Sequence, residues 1–254
     1  MATPITCQGA WSHGDRWLHR LVGVRLAQCG FSVAVLGYDR WPLADATQQA
    51  SEVGKAIEWL LEKSPQRSDL GFDRRRVVLF GHSSGGHVAM LWLLSNLCSN
   101  ATAANSLAAV VTLGSPFDIT DHERHERRRG VADISALGPA CGLPSFDLVS
   151  PNKIARELAT TEGLRRLWRL GSRSALRPAR ICLLHGAADT TVPCSAATKL
   201  YHSLAALGLG SLSLIDKRDV KLLPDGGHST DLINIMLGKD CQTVRTLLEL
   251  ASSS

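Results

Sequence analysis

The segment that most constrains the fold is an apolar strand that leads directly into a glycine-rich turn and then into an apolar helix. The strand candidate Arg76–Phe80 is followed at once by Gly81-His82-Ser83-Ser84-Gly85, and Gly85–Asn96 has the composition of a buried helix. Small residues on both sides of Ser83 are needed where a strand and a helix pack closely around a sharp turn. The junction matches the pattern G-x-S-x-G and predicts a serine hydroxyl exposed at that turn.

Strand-like and helix-like segments alternate along most of the remaining chain. This alternation predicts an α/β fold with a mostly parallel central sheet covered by helices. The predicted helices are Asp15–Gln28, Ala46–Lys63, Ser195–Leu207 and Thr243–Leu250, and the predicted strands are Phe31–Leu36, Leu107–Leu113 and Ile181–Leu184. The final strand is either Ser211–Ile215 or Val220–Leu223. Residues 1–254 are expected to form a single domain.

The segment Gly114–Pro178 interrupts the alternation. It is rich in charged residues, glycine and proline, and its best helical pattern covers about Pro151–Trp168. We interpret it as an insertion, a lid or cap, over the edge of the sheet that carries the active site.

Composition and charge exclude several classes of protein. The net charge is +5, but only 5% of the residues are aromatic and no nucleic-acid-binding motif is present, so we predict no nucleic-acid partner. The seven cysteines include no C-x-x-C pair, which favours free thiols over a zinc or redox site. The first residues do not resemble a signal peptide, and no apolar run is long enough to cross a bilayer. We therefore expect a cytoplasmic protein without a transmembrane segment, metal or cofactor.

Two later segments supply partners for Ser83. Asp189 follows the strand Ile181–Leu184, and His228 follows the last strand, so the chain order is Ser, Asp, His. This is the order found in α/β-hydrolases. Histidine is the side chain whose unperturbed pKa lies near neutrality, which makes His228 the candidate base for Ser83, and Asp189 would orient the imidazole.

Other residues near these positions have weaker claims. Asp225 and Asp231 are close to His228 in sequence, but neither follows a strand of its own, so Asp189 is preferred as the acid. The histidines His82, His87 and His185 are expected to pack or to form local hydrogen bonds. A further alternative, a Cys7 nucleophile, has neither a local base nor a helix start to support it.

Together with the three catalytic segments, further motifs resemble those of the isoprenylcysteine methylesterase-like branch of the α/β-hydrolases, near kynurenine formamidases and hormone-sensitive-lipase-type carboxylesterases. Gly9-Ala10-Trp11-Ser12-His13-Gly14 resembles the end of that family's H-G-G-x-W-x-x-G loop, and Leu36-Gly37-Tyr38-Asp39-Arg40-Trp41-Pro42 resembles its Y-R-x-x-P segment. Asp118–His122 with Gly130-Val131 is similar to its lid, and His228-Ser229-Thr230-Asp231 to its H-T-D ending.

The resemblance implies a serine esterase. The N–H groups of Gly9, Ala10 and Ser84 would form the oxyanion hole, and Trp11 would pack beside the acyl pocket or serve as an ordinary core tryptophan. Apolar residues of the insertion (Leu137, Leu143 and Phe146) would bind the substrate at the mouth of the site. The implied partner is a small ester, with a prenylcysteine methyl ester first, a generic carboxylic ester second and an arylformamide third. Peripheral association with membranes stays open.

The chain departs from the family pattern at two places. Cys7-Gln8 stands where the family has His-Gly, which puts the oxyanion loop in doubt, and only six residues precede Cys7. We therefore expect a sheet that is truncated at its N-terminal edge and a weak or unstable enzyme. These departures also support a rival hypothesis, a non-catalytic α/β-hydrolase fold that serves as a binding module.

Overall fold

The structure of the protein is a computed structural model. It describes residues 2–7, 9–62, 72–73, 76–97, 106–142, 145–160, 162, 179–207 and 215–252, with the backbone alone at 2–7 and 62.

A parallel sheet of six strands forms the centre of the described chain. The strands are β1 (Ala2–Cys7), β2 (Ser32–Val35), β3 (Val77–His82), β4 (Leu107–Leu113), β5 (Arg180–Gly186) and β6 (Val220–Leu223). Their spatial order is β2-β1-β3-β4-β5-β6, and every neighbouring pair is parallel. The carboxyl ends of all six strands therefore lie along one edge of the sheet, the edge at which α/β proteins bind ligands.

Helices and short 3₁₀ turns connect the strands. The helices are α1 (Arg20–Gln28), α2 (Ala46–Glu62), α3 (Ser84–Asn96), α4 (Ile119–Arg128), α5 (Leu137–Ala140), α6 (Pro151–Leu158), α7 (Ser195–Ala205), α8 (Thr230–Met236) and α9 (Gln242–Ser252). The 3₁₀ turns are Ala132–Ile134, Asp147–Val149 and Lys217–Asp219.

The central strands are buried because helices cover both faces of the sheet. In β3, Val77 and Leu79 belong to one hydrophobic cluster, which also includes residues of α2 and α3. The alternate residues Val78 and Phe80 belong to a second cluster, which includes residues of α1, α8 and α9. Because successive side chains of a strand point to opposite faces, one apolar run fills both cores.

The α/β fold class and the parallel sheet predicted from the sequence are confirmed. The last strand is Val220–Leu223, one of the two predicted alternatives. The first helix begins at Arg20 rather than at Asp15, because Asp15 caps a preceding turn by accepting a hydrogen bond from Trp17 N at 3.1 Å. Helix α6 ends at Leu158, and most of the predicted extension to Trp168 lies outside the described residues. Helix α8 was not predicted.

The segment between β4 and β5 packs against the elements that surround the carboxyl edge of the sheet. His125 of α4 donates from Nε2 to the Thr190 carbonyl, in the loop after β5, at 2.9 Å, and the Val149 carbonyl accepts from His87 Nε2 of α3 at 2.7 Å. This segment includes α4, α5 and α6.

Two observations concern cysteine pairing and membranes. The cysteines whose side chains the structure describes are free thiols: Cys29, Cys141, Cys182, Cys194 and Cys241. None of the helices in the described part of the chain combines the length and apolar character needed to cross a bilayer.

Candidate active site

Ser83 occupies a strained turn between β3 and α3. Its φ and ψ angles are 54° and −127°, a region that residues with a Cβ rarely adopt and that typically costs about 1–3 kcal/mol. Ser83 N donates to the carbonyl of Leu113, the last residue of β4, at 2.9 Å, which ties the turn to the neighbouring strand. A Cβ added to Gly81 would lie 2.5 Å from the Cα of Gly86, so the glycines of the motif allow strand and helix to approach. The side chain of Ser83 is thereby held at the carboxyl edge of the sheet.

The structure brings Asp189 and His228 together with Ser83. His228 Nε2 lies 3.0 Å from Ser83 Oγ, and His228 Nδ1 lies 2.8 Å from Asp189 Oδ2. The loops that carry the acid and the histidine are joined by a hydrogen bond from Ala188 N to the Gly226 carbonyl at 3.0 Å. Serine, imidazole and carboxylate therefore form one hydrogen-bonded chain across the ends of β3, β5 and β6.

The carboxylate of Asp189 is buried but strongly hydrogen-bonded. Burial acts to raise its pKa, but hydrogen bonds from His185, His228 and the backbone outweigh burial and leave the pKa below the ordinary value. The other carboxylate oxygen, Oδ1, accepts from Thr191 N at 2.8 Å and Val192 N at 2.9 Å. Asp189 is thus held as a carboxylate that can stabilise a protonated His228.

His82, between Gly81 and Ser83, contacts the loop of His228. Its Nε2 donates to the His228 carbonyl at 2.9 Å, and the two rings lie 5.0 Å apart. Burial, together with the neighbouring His228, lowers the pKa of His82 to about 4. His82 is therefore an uncharged donor near neutral pH, consistent with the expected local hydrogen bond.

The loop after β1 lies near the serine turn. Its N–H groups differ in whether they already donate a hydrogen bond. Gly9 N already donates to the His13 carbonyl at 2.9 Å, so the predicted oxyanion donor Gly9 is engaged elsewhere in this structure. Within the described residues, the N–H of Ala10 donates no backbone hydrogen bond. Ser84 is the first residue of α3, and the N-terminus of a helix favours negative charge. Gln8 lies outside the described residues.

Two residues predicted to contact substrate are buried. Trp11 is 2% exposed, and its indole Nε1 donates to His87 Nδ1 at 3.0 Å. Phe146 is 8% exposed and belongs to the main hydrophobic core together with Leu137. Leu143 lies outside the described residues. Large apolar side chains that the same segment does expose are Ile134 and Leu148.

The two alternative acids, Asp225 and Asp231, lie outside the hydrogen-bonded chain of Ser83, His228 and Asp189. Asp231 Oδ2 accepts from the backbone N of Thr243 at 3.0 Å and from its hydroxyl at 2.8 Å, so it joins α8 to α9. Asp225 is exposed in the turn after β6. His185, expected to be structural, is buried: its Nε2 donates to the Val192 carbonyl at 2.9 Å and lies 3.4 Å from Asp189 Oδ2.

Gly114 is a site residue that the sequence analysis did not single out. It follows β4 with φ of +58°, and an added Cβ would lie 3.3 Å from Asp189 Oδ2 and 3.4 Å from His228 Nδ1. The available signal was a glycine directly after a predicted strand, a position typical of a close backbone approach.

No group of three or more His, Cys, Asp or Glu side chains in the described ranges is arranged to hold a metal ion.

Residues 5–141 match the model of the BD-FAE family, which is more than half of the 254-residue chain. The chain belongs to the BD-FAE family. Isoprenylcysteine alpha-carbonyl methylesterase ICME of Arabidopsis thaliana is 25% identical over 206 residues, which cover 79% of this chain and 45% of the relative. A probable ICME of Oryza sativa subsp. japonica is 27% identical over 194 residues, covering 74% and 43%. This BD-FAE family chain thus spans a little less than half the length of these relatives.

Solved structures share the fold of this BD-FAE family member. Esterase B of Lactobacillus rhamnosis matches with a TM-score of 0.66 at 21% identity, over 99% of this chain and 74% of that chain. An acetyl ester-xyloside bifunctional hydrolase of Caldicellulosiruptor lactoaceticus matches with a TM-score of 0.64 at 16% identity, over 98% and 80%. These matches confirm the predicted α/β-hydrolase fold, and the sequence relatives bear out the resemblance to isoprenylcysteine methylesterases.

Proposed function

We propose that the protein is a serine hydrolase that cleaves carboxylic esters through an acyl-enzyme, with Ser83, His228 and Asp189 as its catalytic triad. One observation carries this proposal: the hydrogen-bonded chain in which His228 lies 3.0 Å from Ser83 Oγ and 2.8 Å from Asp189. A serine hydroxyl is a weak nucleophile until a base within hydrogen-bond reach takes its proton. His228 is such a base, and Asp189 fixes the ring so that Nε2 faces the serine.

Acyl transfer proceeds in two steps. His228 removes the proton of Ser83 as Oγ attacks the ester carbonyl, and the same proton then passes to the departing alcohol. Water attacks the acyl-enzyme in the second step, again with His228 as base, and releases the acid and free Ser83. The N–H groups of Ala10 and Ser84 are proposed to hold the oxyanion of each tetrahedral intermediate.

The proposed substrate is the methyl ester of a prenylated cysteine. Its support is the similarity to two plant relatives, one named an isoprenylcysteine alpha-carbonyl methylesterase and the other a probable one. The segment between β4 and β5 is proposed as a cap over the site, because His125 contacts the Thr190 carbonyl beside the acid loop. In this reading the partner is a small ester and the chemistry needs no metal or cofactor.

Hydrolysis of a panel of esters by wild type and Ser83→Ala tests the proposal. The panel is prenylcysteine methyl ester, p-nitrophenyl acetate, p-nitrophenyl butyrate and N-formylkynurenine. We expect the wild type to have its highest kcat/KM on the prenylcysteine ester, and Ser83→Ala to lower kcat by about 10⁴-fold or more. Ser229→Ala is the matched control, because Ser229 is next to His228 in sequence, stands outside the Ser83–His228–Asp189 hydrogen bonds and makes no side-chain cap to α8.

The outcomes separate the alternatives. If kcat/KM is higher on the nitrophenyl esters than on the prenylcysteine ester, the protein is a general carboxylesterase. If kcat/KM is highest on N-formylkynurenine, the protein is an arylformamidase. A folded wild type that hydrolyses none of the four would favour a non-catalytic binding protein.

A further inference from the structure

The loop after β1 has a backbone conformation that must be enforced by its surroundings. Ala10 and Trp11 have φ angles of 46° and 59°, in the left-handed region that residues with a Cβ adopt only where other contacts hold them. Two such residues in succession need anchors. Backbone hydrogen bonds between Gly9 and His13 close the loop on itself, and bonds at Trp11 tie it to other elements.

Three hydrogen bonds hold Trp11. Its carbonyl accepts from Gln49 Nε2 at 2.9 Å and from Trp41 N at 3.0 Å, and its indole Nε1 donates to His87 Nδ1 at 3.0 Å. The side chains of Trp11, Gln49 and His87 are all buried. The first two bonds tie the loop to α2 and to the segment before it, whereas the third ties it to α3, the helix that begins immediately after Ser83.

The hydrogen bonds of His87 define its protonation state. Nε2 faces the Val149 carbonyl at 2.7 Å and must donate to it, so Nδ1 is left as the acceptor for the indole N–H. Burial lowers the pKa of His87 to about 4, which keeps the ring uncharged near neutral pH. Both ring nitrogens are therefore engaged by backbone or side-chain partners and neither is available for proton transfer.

His87 also lies one helical turn from the nucleophile. Its backbone N donates to the Ser83 carbonyl at 3.1 Å. The two proposed oxyanion donors belong to different elements, because the Ala10 N–H is on the loop and the Ser84 N–H is on α3. Both must lie about 2.7–3.1 Å from the same oxygen atom to act together. Trp11 is next to one donor in sequence, and His87 is three residues from the other.

We propose that His87 is a positioning residue: through the indole of Trp11, it fixes the loop half of the oxyanion hole against the helix half. The inference rests on the proposed ester hydrolysis and adds a residue that touches neither substrate nor Ser83 Oγ. Because the oxyanion exists only in the transition state and intermediates, loss of this link lowers kcat and leaves KM nearly unchanged.

Three variants and one control test the link. Trp11→Phe keeps a ring but removes the indole donor, His87→Leu removes both ring nitrogens, and His87→Asn retains a polar group near Nδ1. Trp92→Phe removes another buried indole, on α3 but remote from the loop, where Trp92 packs beside Gly54. Each variant is first compared with wild type by near-UV circular dichroism and thermal melting.

The kinetic readout uses p-nitrophenyl butyrate and its thiono analogue. A developing sulfur anion accepts weaker hydrogen bonds than an oxygen anion, so a misplaced oxyanion hole penalises the oxygen ester more. We expect Trp11→Phe and His87→Leu each to lower kcat for the oxygen ester about 10- to 100-fold with KM changed less than about threefold, and to lower the thionoester rate by a smaller factor. His87→Asn should recover part of the loss, and Trp92→Phe should match wild type.

The inference is overturned if folded Trp11→Phe behaves like Trp92→Phe, or if both esters lose rate equally. It is also overturned if KM rises while kcat stays constant. Failure of His87→Leu to fold leaves Trp11→Phe and His87→Asn to decide. A wild type inactive on every ester would instead refute the proposed function, so the two failures are distinguishable.

Discussion

At the residue scale, the position of Gly114 shows how closely the backbone approaches the candidate triad. Its added Cβ would come within 3.3 Å of Asp189 Oδ2 and 3.4 Å of His228 Nδ1, and its φ is +58°. Any side chain there would crowd the bond that orients the imidazole. The space beside the acid–histidine pair is therefore part of the site, although it contains no catalytic atom.

Replacement of Gly114 by alanine should impair catalysis more than folding. We expect Gly114→Ala to lower kcat about 10- to 100-fold, because displacement of His228 by a fraction of an ångström weakens proton transfer. Gly130→Ala is the matched control, since Gly130 also has a positive φ, +71°, but has nothing within 4 Å of an added Cβ. Both variants should lose about 1–2 kcal/mol of unfolding free energy in urea. Similar kcat values for the two would show that the crowding is harmless.

Asp189 allows a second residue-scale prediction. Asp189→Asn should leave the fold intact and lower kcat by about 10⁴-fold, because the amide stabilises the wrong imidazole tautomer. Circular dichroism checks the fold and p-nitrophenyl butyrate hydrolysis checks the rate. Asp225→Asn is the control, since Asp225 is exposed and is an alternative acid only three residues from His228 in sequence. A larger loss of rate in Asp225→Asn would assign the acid role there.

The three residues proposed as the triad could be predicted from sequence because each follows a predicted strand. Parallel strands bring their carboxyl ends to one edge, so Ser83, Asp189 and His228 had to be near one another. The contacts of His82, His87 and Gly114 could not be predicted in this way. They depend on ring orientation and on the approach of backbone segments far apart in sequence, which periodicity does not encode.

At the element scale, the segment between β4 and β5 combines buried and exposed apolar side chains. Phe146 is 8% exposed and packs in the main core, whereas Leu148, two residues later, is 81% exposed. The 3₁₀ turn Asp147–Val149 begins directly after Phe146 and includes Leu148. The carbonyl of Val149, the last residue of this turn, accepts the hydrogen bond from His87. The segment is thus anchored to α3 by the same turn that presents Leu148.

These two side chains give a matched pair of substitutions. Phe146→Ala should lower the unfolding free energy by about 3 kcal/mol, whereas Leu148→Ala should change it by less than about 0.5 kcal/mol. If Phe146 also forms a wall of the acyl pocket, its substitution should raise KM for a long apolar ester more than for an acetate ester. Urea denaturation and steady-state kinetics on the two esters check both effects. An equal change in KM for both esters would restrict Phe146 to a packing role.

Element boundaries were predicted best where burial on both faces dictates the strand. β4 was predicted at Leu107–Leu113, where the structure has it, because that run is apolar except for Thr112. The start of α1 was missed because Asp15 caps a turn that precedes the helix, and the same residue type caps both turns and helices. Helix α8 was missed because its seven residues are too few for a clear periodic pattern.

At the scale of the whole molecule, the parallel sheet brings the carboxyl ends of its strands to one edge. The strands meet in the order β2-β1-β3-β4-β5-β6, which puts the loops after β3, β5 and β6 along that edge. The strands therefore fix the positions of the loops, and the loops carry the residues proposed to be catalytic. We therefore expect a change in the protonation of a buried loop residue to change the free energy of unfolding of the whole protein.

The pH dependence of unfolding tests this link. The pKa of Asp189 is below its ordinary value of 3.8 in the folded protein, so the stability it contributes is present above about pH 4 and is lost as the pH falls. The difference in unfolding free energy between wild type and Asp189→Asn should narrow by about 1 kcal/mol between pH 6 and pH 3. Urea denaturation at each pH measures it. A difference that stays constant over this range would mean that Asp189 is not held ionised.

The central claim, that Ser83 is a nucleophile activated by His228, is tested most directly by covalent labelling of the intact protein. The folded protein is incubated with a fluorophosphonate, and its mass and modified peptide are read by mass spectrometry. We expect one adduct per chain, on Ser83 and not on Ser84. His228→Ala should react at a strongly reduced rate, and Ser83→Ala should form no adduct. An adduct on another serine, or no adduct on folded wild-type protein, would contradict it.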